Sequence, residues 1–97
     1  MTRDEIFETI RDLLVDSFEL DAGEITRESK LYEELGLDSI DAVDIFVQLR
    51  EITGRRPDPQ VARKIRTVDE LITFVVDELA AKEAGLPEPE VELPGKE

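Results

Sequence analysis

Residues 38–54 of the chain read DSIDAVDIFVQLREITG, and this pattern predicts one amphipathic helix with a defined start and end. Asp38 is a favourable N-cap residue, and Asp41 lies three positions later, where an acidic variant of the capping box has its second member. Gly54 occupies the position at which helices commonly stop. We therefore expect a helix from Asp38 to Thr53.

This helix has apolar residues on two opposite faces. At about 100° per residue, one arc of roughly 120° holds five residues that suit a core, which are Ala42, Ile45, Phe46, Leu49 and Ile52. Ile40, Val43 and Val47 lie on the opposite side, flanked by Asp44 and Glu51. Because a small domain has one core, we expect this second face to be a weak, fast-exchanging docking strip. Two alternatives are that these residues are simply exposed, or that a loop covers them.

Capping boxes also predict the first and last helices of the chain. Thr2 and Glu5 begin a helix over roughly residues 2–17, and Thr67 and Glu70 begin another that ends near residue 83. Residues 60–65 follow two prolines and have room for one short helical turn. The sequence therefore predicts an all-α four-helix bundle with three main helices and one short helix.

A long first loop, residues 19–38, separates the first two main helices. Such a loop is unusual in a small domain unless it is pinned, and we expect it to be pinned by five apolar side chains, those of Ile25, Leu31, Tyr32, Leu35 and Leu37. Beyond Gly85 the chain has three prolines among glutamates, which is typical of disorder. We therefore predict one domain, residues 1–84, and a disordered tail, residues 85–97.

The composition excludes several classes of function. Of 97 residues, 25 are acidic and 12 are basic, and a net charge of -13 repels nucleic acid. The chain has no Cys, His or Trp, so it lacks a thiol nucleophile, an imidazole base and the usual zinc ligands. We expect no catalysis and no metal site. Without an apolar run of about 20 residues or a signal peptide, we expect a cytoplasmic protein without a membrane span.

Ser39 follows the predicted N-cap of the second helix. A helix N-terminus has free backbone N–H groups and a partial positive charge, so a phosphate ester on this hydroxyl would be favourably placed. An isolated Asp-Ser pair is nevertheless an ordinary way to begin a helix. The surrounding residues therefore decide how Ser39 is interpreted.

Residues 32–41 read YEELGLDSID, and they resemble the prosthetic-group site of the acyl carrier proteins. That family has a D-S-[LI] motif after a loop with a D/E-L-G stretch, and ELGLDSI at residues 34–40 fits both parts. The resemblance extends over roughly residues 2–83, with the same order of helices and long loop. It indicates a discrete, type II carrier.

The resemblance implies a role for each residue around Ser39. Ser39, next to Asp38, would carry a covalent 4′-phosphopantetheine from coenzyme A, attached by a magnesium-dependent phosphopantetheinyl transferase. The thiol of that arm would hold acyl groups as thioesters. Acyl-transferring, condensing and reducing enzymes with basic docking surfaces would bind a monomeric carrier at Ile40, Asp41, Val43, Asp44, Val47 and Glu51. Four residues would shelter the acyl chain in the core, namely Phe46, Leu49, Ile65 and Val75.

The chain departs from the family in its charge. Residues 55–68 hold Arg55, Arg56, Arg63, Lys64 and Arg66 against one acid, a local net charge of +4. Beside an acidic docking surface this should change the choice of partner. We therefore hypothesise a specialised fatty-acid, polyketide or aryl polyene pathway. The alternative is that these cations pair with glutamates or fold against the acidic first loop.

Other functions fit less well. A peptidyl or D-alanyl carrier would use the same serine and fold. A non-carrier helical adaptor would use the exposed apolar strip and would need no hydroxyl at Ser39. Asp38, Asp41 and Asp44 lack the spacing of a calcium loop, and the overall charge disfavours a DNA-binding role for residues 55–66.

Overall fold

Helices dominate the part of the chain that the computed structural model describes, which is residues 1–87. Four α-helices follow one another: α1 (Arg3–Phe18), α2 (Ser39–Thr53), α3 (Pro59–Lys64) and α4 (Val68–Glu83). A 3₁₀ turn spans Ala22–Glu24 in the first loop, and within residues 1–87 no strand forms. The predicted all-α bundle is confirmed. None of the helices within these residues is long and apolar enough to cross a membrane. The disorder predicted for the tail falls, for residues 88–97, outside the described residues.

Each of the three long helices begins at the capping box that the sequence predicts. The pairs are Thr2 with Glu5, Asp38 with Asp41, and Thr67 with Glu70. In each pair the N-cap side chain accepts a hydrogen bond from the N3 backbone, and the N3 carboxylate accepts one from the N-cap backbone. The helix starts are therefore determined by local hydrogen bonds as well as by packing.

One hydrophobic core joins all four helices and the first loop. α4 packs against both α1 and α2, and it contributes Leu71, Ile72 and Val75 at the centre of the core. The rings of Phe46 in α2 and Phe74 in α4 meet edge to face, with centroids 5.2 Å apart. The core face predicted for α2 is correct in its buried centre, Ile45, Phe46 and Leu49, whereas Ala42 and Ile52 are half-buried.

The first loop is pinned to the bundle by its side chains. Ile25, Leu31 and Leu37 are buried, and Tyr32 and Leu35 pack against the core. The sequence predicted this set correctly. As a result, the segment that leads into α2 is held against the core over most of its length.

Backbone hydrogen bonds to the start of α4 also hold the loop, which the sequence did not predict. The N–H groups of Val68 and Asp69 donate to the carbonyls of Ser29 (3.0 Å) and Arg27 (2.8 Å). In return, the Leu31 N–H donates to the Arg66 carbonyl at 2.8 Å. The first N–H groups of a helix have no partner within the helix, so the loop supplies acceptors that α4 would otherwise lack.

Arg55 lies inside the fold, between α2 and the end of α4. Its side chain donates to the carbonyls of Leu86 (2.6 Å) and Pro87 (3.1 Å), and its Nε lies 3.6 Å from a carboxylate oxygen of Glu78. Burial raises the pKa of the Glu78 carboxyl, although the Arg55 guanidinium opposes that shift. Of the two interpretations left open by the sequence, pairing with a glutamate is confirmed for Arg55.

Replacing the cap of α4 should loosen both the helix and the loop. Thr67→Ala removes the acceptor of the Glu70 N–H, and we expect a loss of about 1 kcal/mol in the free energy of unfolding. Chemical denaturation measures this loss. Thr67→Ser keeps the hydroxyl and should retain most of the stability. If Thr67→Ala were as stable as the unmodified chain, the loop alone would be sufficient to cap α4.

Candidate functional site

Ser39 is the first residue of α2, and it is exposed to solvent. Within residues 1–87 its hydroxyl has no hydrogen-bond partner, so it is not committed to holding the fold. The N-cap role belongs to Asp38, as the sequence predicts. Ser39 therefore presents a free hydroxyl at the positive end of a helix.

The start of α2 leaves two backbone donors unused. The Asp41 N–H donates to an Asp38 carboxylate oxygen (2.9 Å), and the Ala42 N–H donates to the Asp38 carbonyl (3.0 Å). The N–H groups of Ser39 and Ile40 have no acceptor within the described part of the chain. At α4 the corresponding two donors are occupied by the first loop. The N-terminus of α2 can thus accept an anionic group, and the N-terminus of α4 cannot.

Other helix starts do not combine these features. α1 also leaves its first two N–H groups without an acceptor within residues 1–87, but its first residue is Arg3, which has no hydroxyl. α3 begins with Pro59, which has no N–H to offer. A free hydroxyl and free backbone donors occur together at Ser39.

Asp38 and Asp41 form a rigid reciprocal pair on either side of Ser39. Besides the bond from Asp41 N–H to Asp38, the Asp38 N–H donates to the Asp41 carboxylate at 3.1 Å. The two carboxylates therefore hold the backbone of the site. Asp38, which the sequence predicts beside the attachment residue, is the N-cap of the helix that Ser39 begins.

The loop reaches Ser39 through a tight turn at residues 30–37. The N–H groups of Glu34 and Leu35 donate to the Lys30 carbonyl, and the Leu37 N–H donates to the Leu31 carbonyl at 3.1 Å. Gly36 has a φ of 72°, in the left-handed region that glycine adopts without strain. Because Leu37 is then buried, the next two residues emerge at the surface. The turn thus places Asp38 and Ser39 at the surface of the protein.

Of the six α2 residues predicted to contact partners, three are exposed to solvent. Ile40, Asp44, Val47 and Glu51 follow spacings of four, three and four, which align them along one helix face. Ile40 is 77% exposed, and both acids are exposed. Val43 and Val47 are half-buried, as is Asp41, so the apolar strip is less open than the sequence suggested. The long loop does not cover Ile40.

The residues predicted to shelter the acyl chain are in the core, whereas most of the basic residues named with them are at the surface. Phe46, Leu49, Ile65 and Val75 are all buried in the one core. Arg63, Lys64 and Arg66 are exposed, in contrast to Arg55. The Arg66 guanidinium lies 6.0 Å from the centre of the Tyr32 ring, which places this cation against the first loop. No group of three or more Asp or Glu residues within residues 1–87 is arranged to hold a metal ion.

Comparison with known protein families and curated proteins identifies relatives of this chain. The family described as the phosphopantetheine attachment site matches residues 8–75. Acyl carrier protein 2 of Ralstonia nicotianae is 47% identical over 81 residues, which is 84% of this chain and 100% of that protein. The acyl carrier protein of Lactobacillus acidophilus is 36% identical over 75 residues, or 77% of this chain and 94% of that protein.

A solved structure has the same fold. The acyl carrier protein from Enterococcus faecalis superposes with a TM-score of 0.67, at 24% sequence identity, covering 80% of this chain and 99% of that one. The likeness includes nearly the whole of the other chain, so the arrangement of helices and long loop is shared.

A side chain at Gly36 should strain the turn that precedes Ser39. Gly36→Ala forces an alanine to φ 72°, and we expect a loss of about 1–2 kcal/mol in the free energy of unfolding. A Cβ there would meet nothing within 4 Å, so the cost comes from the backbone and not from a clash. Gly36→Asn should cost less, because asparagine tolerates this region better. Equal losses for the two variants, measured by denaturation, would contradict this explanation.

Proposed function

The chain belongs to the acyl carrier proteins, which hold their cargo on a covalently attached phosphopantetheine, and on this basis we propose that Ser39 is the attachment residue. The observation that carries the proposal is the free, exposed Ser39 hydroxyl beside the two unused N–H groups of Ser39 and Ile40. Acyl carrier proteins are carriers and not catalysts, and the chain's lack of His and Cys accords with that role.

The residues around Ser39 fit a phosphodiester. The ester oxygen would be that of Ser39, and the helix N-terminus would place positive potential beside the negative phosphate. The carboxylates of Asp38 and Asp41 accept hydrogen bonds from the backbone of the cap. They keep the first turn of α2 in one conformation, so Ser39 is presented to a transferase without rearrangement of the helix.

The arm supplies a terminal thiol, which the chain itself lacks, and that thiol holds acyl groups as thioesters. The chain's own residues position this chemistry: the turn at Gly36 and the buried Leu37 fix the base of the arm. A core built of Phe46, Leu49, Ile65 and Val75 is the apolar environment in which we propose that the acyl chain is sheltered.

Modification of Ser39 tests the proposal directly. Incubation of the apo-protein with coenzyme A, Mg²⁺ and a broad-specificity phosphopantetheinyl transferase should add one phosphopantetheine, measured by intact mass. Ser39→Ala should add none. Because Ser39 is exposed and makes no hydrogen bond within residues 1–87, this variant should remain folded, which circular dichroism checks.

Asp16→Ala, an exposed position on α1, is the matched control and should be modified normally. If folded, unmodified chain gained no mass, the proposal would fail and the non-carrier adaptor would become the better hypothesis. Gain of mass by Ser39→Ala would place the attachment elsewhere.

We also propose that acyl-handling enzymes bind the exposed face of α2. Ile40 supplies an apolar contact at its N-terminal end, and Asp44 and Glu51 supply acidic contacts along it. Partners with basic docking surfaces complement this pattern. Binding of this kind is weak, because few apolar groups are buried and exposed charge pairs contribute little. Weak binding suits a carrier that visits several enzymes in turn, in the cytoplasm and as a monomer.

We propose that the pathway is a specialised one, because of the cations that follow α2. Arg63, Lys64 and Arg66 are exposed. A fatty-acid enzyme with a basic docking surface would be repelled at these positions while it is attracted to α2. This favours a polyketide, aryl polyene or modified-lipid pathway over general fatty-acid synthesis.

Charge reversal tests the specialised pathway. The double variant Arg63→Glu, Lys64→Glu should bind a fatty-acid condensing enzyme with a basic docking surface about threefold to tenfold more tightly than the unmodified carrier. Calorimetry or fluorescence anisotropy measures the affinity. Lys30→Glu, on the first loop, should change it little. If the unmodified carrier already bound as tightly as that enzyme's own carrier, the specialised pathway would be contradicted.

A further inference from the structure

Arg55 holds Leu86 and Pro87 close to the connection that leads into α3. Leu86 and Pro87 follow α4, and their carbonyls accept hydrogen bonds from the Arg55 guanidinium at 2.6 and 3.1 Å. Arg55 belongs to the short connection between α2 and α3, and it is 8% exposed. The chain beyond Pro87 therefore starts from the α3 side of the bundle.

The N-terminal end of α3 is close to Arg55 along the chain. Asp58, the N-cap of α3, follows Arg55 by three residues. Burial raises the pKa of the Glu78 carboxyl, and the charges of Asp77 and Asp58 raise it further, against the Arg55 guanidinium. Arg55 and Glu78 thus form one cluster, and Leu86 and Pro87 are attached to it through the Arg55 guanidinium.

The outer side of α3 and the residues just after it form a basic surface, which consists of Arg63, Lys64 and Arg66. Ala62 and Pro59 turn inward and are buried, so the opposite side of the short helix faces solvent. Arg63 and Lys64 make no ion pair within residues 1–87. Val61, beside them, is 44% exposed.

The ten residues that follow Pro87 have the complementary charge. Residues 88–97 read EPEVELPGKE, with four glutamates and one lysine. A fully extended segment of this length spans at most about 36 Å. Along the chain, Arg55 and Lys64 are separated by no more than about 22 Å, counting four extended residues and one short helix. The basic surface is therefore within reach of the segment.

We propose that the acidic segment 88–97 is an intramolecular ligand of the basic surface formed by Arg63, Lys64 and Arg66. Attachment at Pro87 gives the segment an effective concentration in the millimolar range, which offsets the weakness of exposed charge pairs. The contact leaves α2 uncovered. A partner with acidic groups must displace the segment before it can bind at α3, whereas a partner that binds α2 alone need not.

An apolar groove on the other side of α4 is the main competing location for the segment. Met1, Val76, Leu79 and Ala80 line it, with the charged residues Lys82 and Glu83 also in the lining. Val76 and Ala80 lie about 160° around the helix axis from Glu78, on the side of α4 away from the Arg55 cluster. The starting point at Pro87 and the charge of the segment both favour the basic surface.

Paramagnetic labelling of the full chain tests the proposal. Because the chain has no cysteine, Gly95→Cys provides one attachment point for a nitroxide. In ¹⁵N-labelled protein at low salt, the amide signals of Arg63, Lys64 and Arg66 should be broadened most. The broadening should disappear at about 1 M salt, where screening shortens to about 3 Å. It should also disappear when Glu88, Glu90 and Glu92 are changed to Gln.

Two surface variants separate this contact from a general electrostatic effect. In Arg63→Ser, Lys64→Ser the broadening of the signals of residues 61–66 should be lost. In Lys30→Ser, an exposed lysine on the first loop, it should be retained. Both variants alter exposed positions, and an unchanged remainder of the spectrum shows that they are folded.

Three outcomes would overturn the proposal. Broadening centred on Met1, Val76 and Leu79 would place the segment in the apolar groove. Broadening spread evenly over the bundle would mean that the segment has no preferred surface. Broadening found only when labelled and spin-labelled chains are mixed would mean that a second copy provides the contact. None of these results depends on modification of Ser39, so the carrier function stands or falls separately.

Discussion

The hydrogen bonds between the first turn of α4 and the first loop are the interaction on which the rest of this small bundle depends. Val68 and Asp69 donate to loop carbonyls, while Glu70 and Leu71 donate to Thr67. The first loop, whose regular structure is the short 3₁₀ turn Ala22–Glu24, thereby gains fixed attachment points on α4. Since the same loop carries Leu31 and Leu37 into the core, the direction in which α2 begins depends on this junction. The position of the candidate site at Ser39 thus depends on α4, through the loop that α4 holds.

A comparison of α2 and α4 shows how one motif serves two purposes. Both helices begin with a reciprocal capping box, and both offer two further N–H groups. At α4 the loop accepts from these groups, and the helix start becomes a structural joint. At α2 they have no acceptor within residues 1–87, and they lie beside Ser39, the residue that we propose as the attachment site. The two capping boxes are alike. The two helix starts differ because the first loop packs against the start of α4 and provides acceptors there.

Local signals in the sequence were sufficient for the helices and for Ser39. Capping boxes, Gly54 and the ELGLDSI motif each act over a few residues, so the helix starts and the candidate serine could be predicted. The N–H groups of Val68 and Asp69 donate to backbone carbonyls of the loop. Because every residue has a backbone carbonyl, no residue type in the sequence predicts these hydrogen bonds. The sequence left open whether Arg55 is a surface charge or pairs with a glutamate, because burial of an arginine requires partners from distant segments, here Glu78, Leu86 and Pro87.

The position of Arg55 also determines how the protein can be handled. Ser39 begins α2 and Arg55 follows its end, so a helix of about 22 Å separates the hydroxyl from the point where the chain is fastened. Leu86 and Pro87, whose carbonyls Arg55 binds, therefore lie at the end of α2 that is opposite Ser39. Immobilisation through a residue at this end would therefore leave the Ser39 end of α2 accessible, whereas immobilisation through the amine of Lys30 would fix the loop that leads to Ser39.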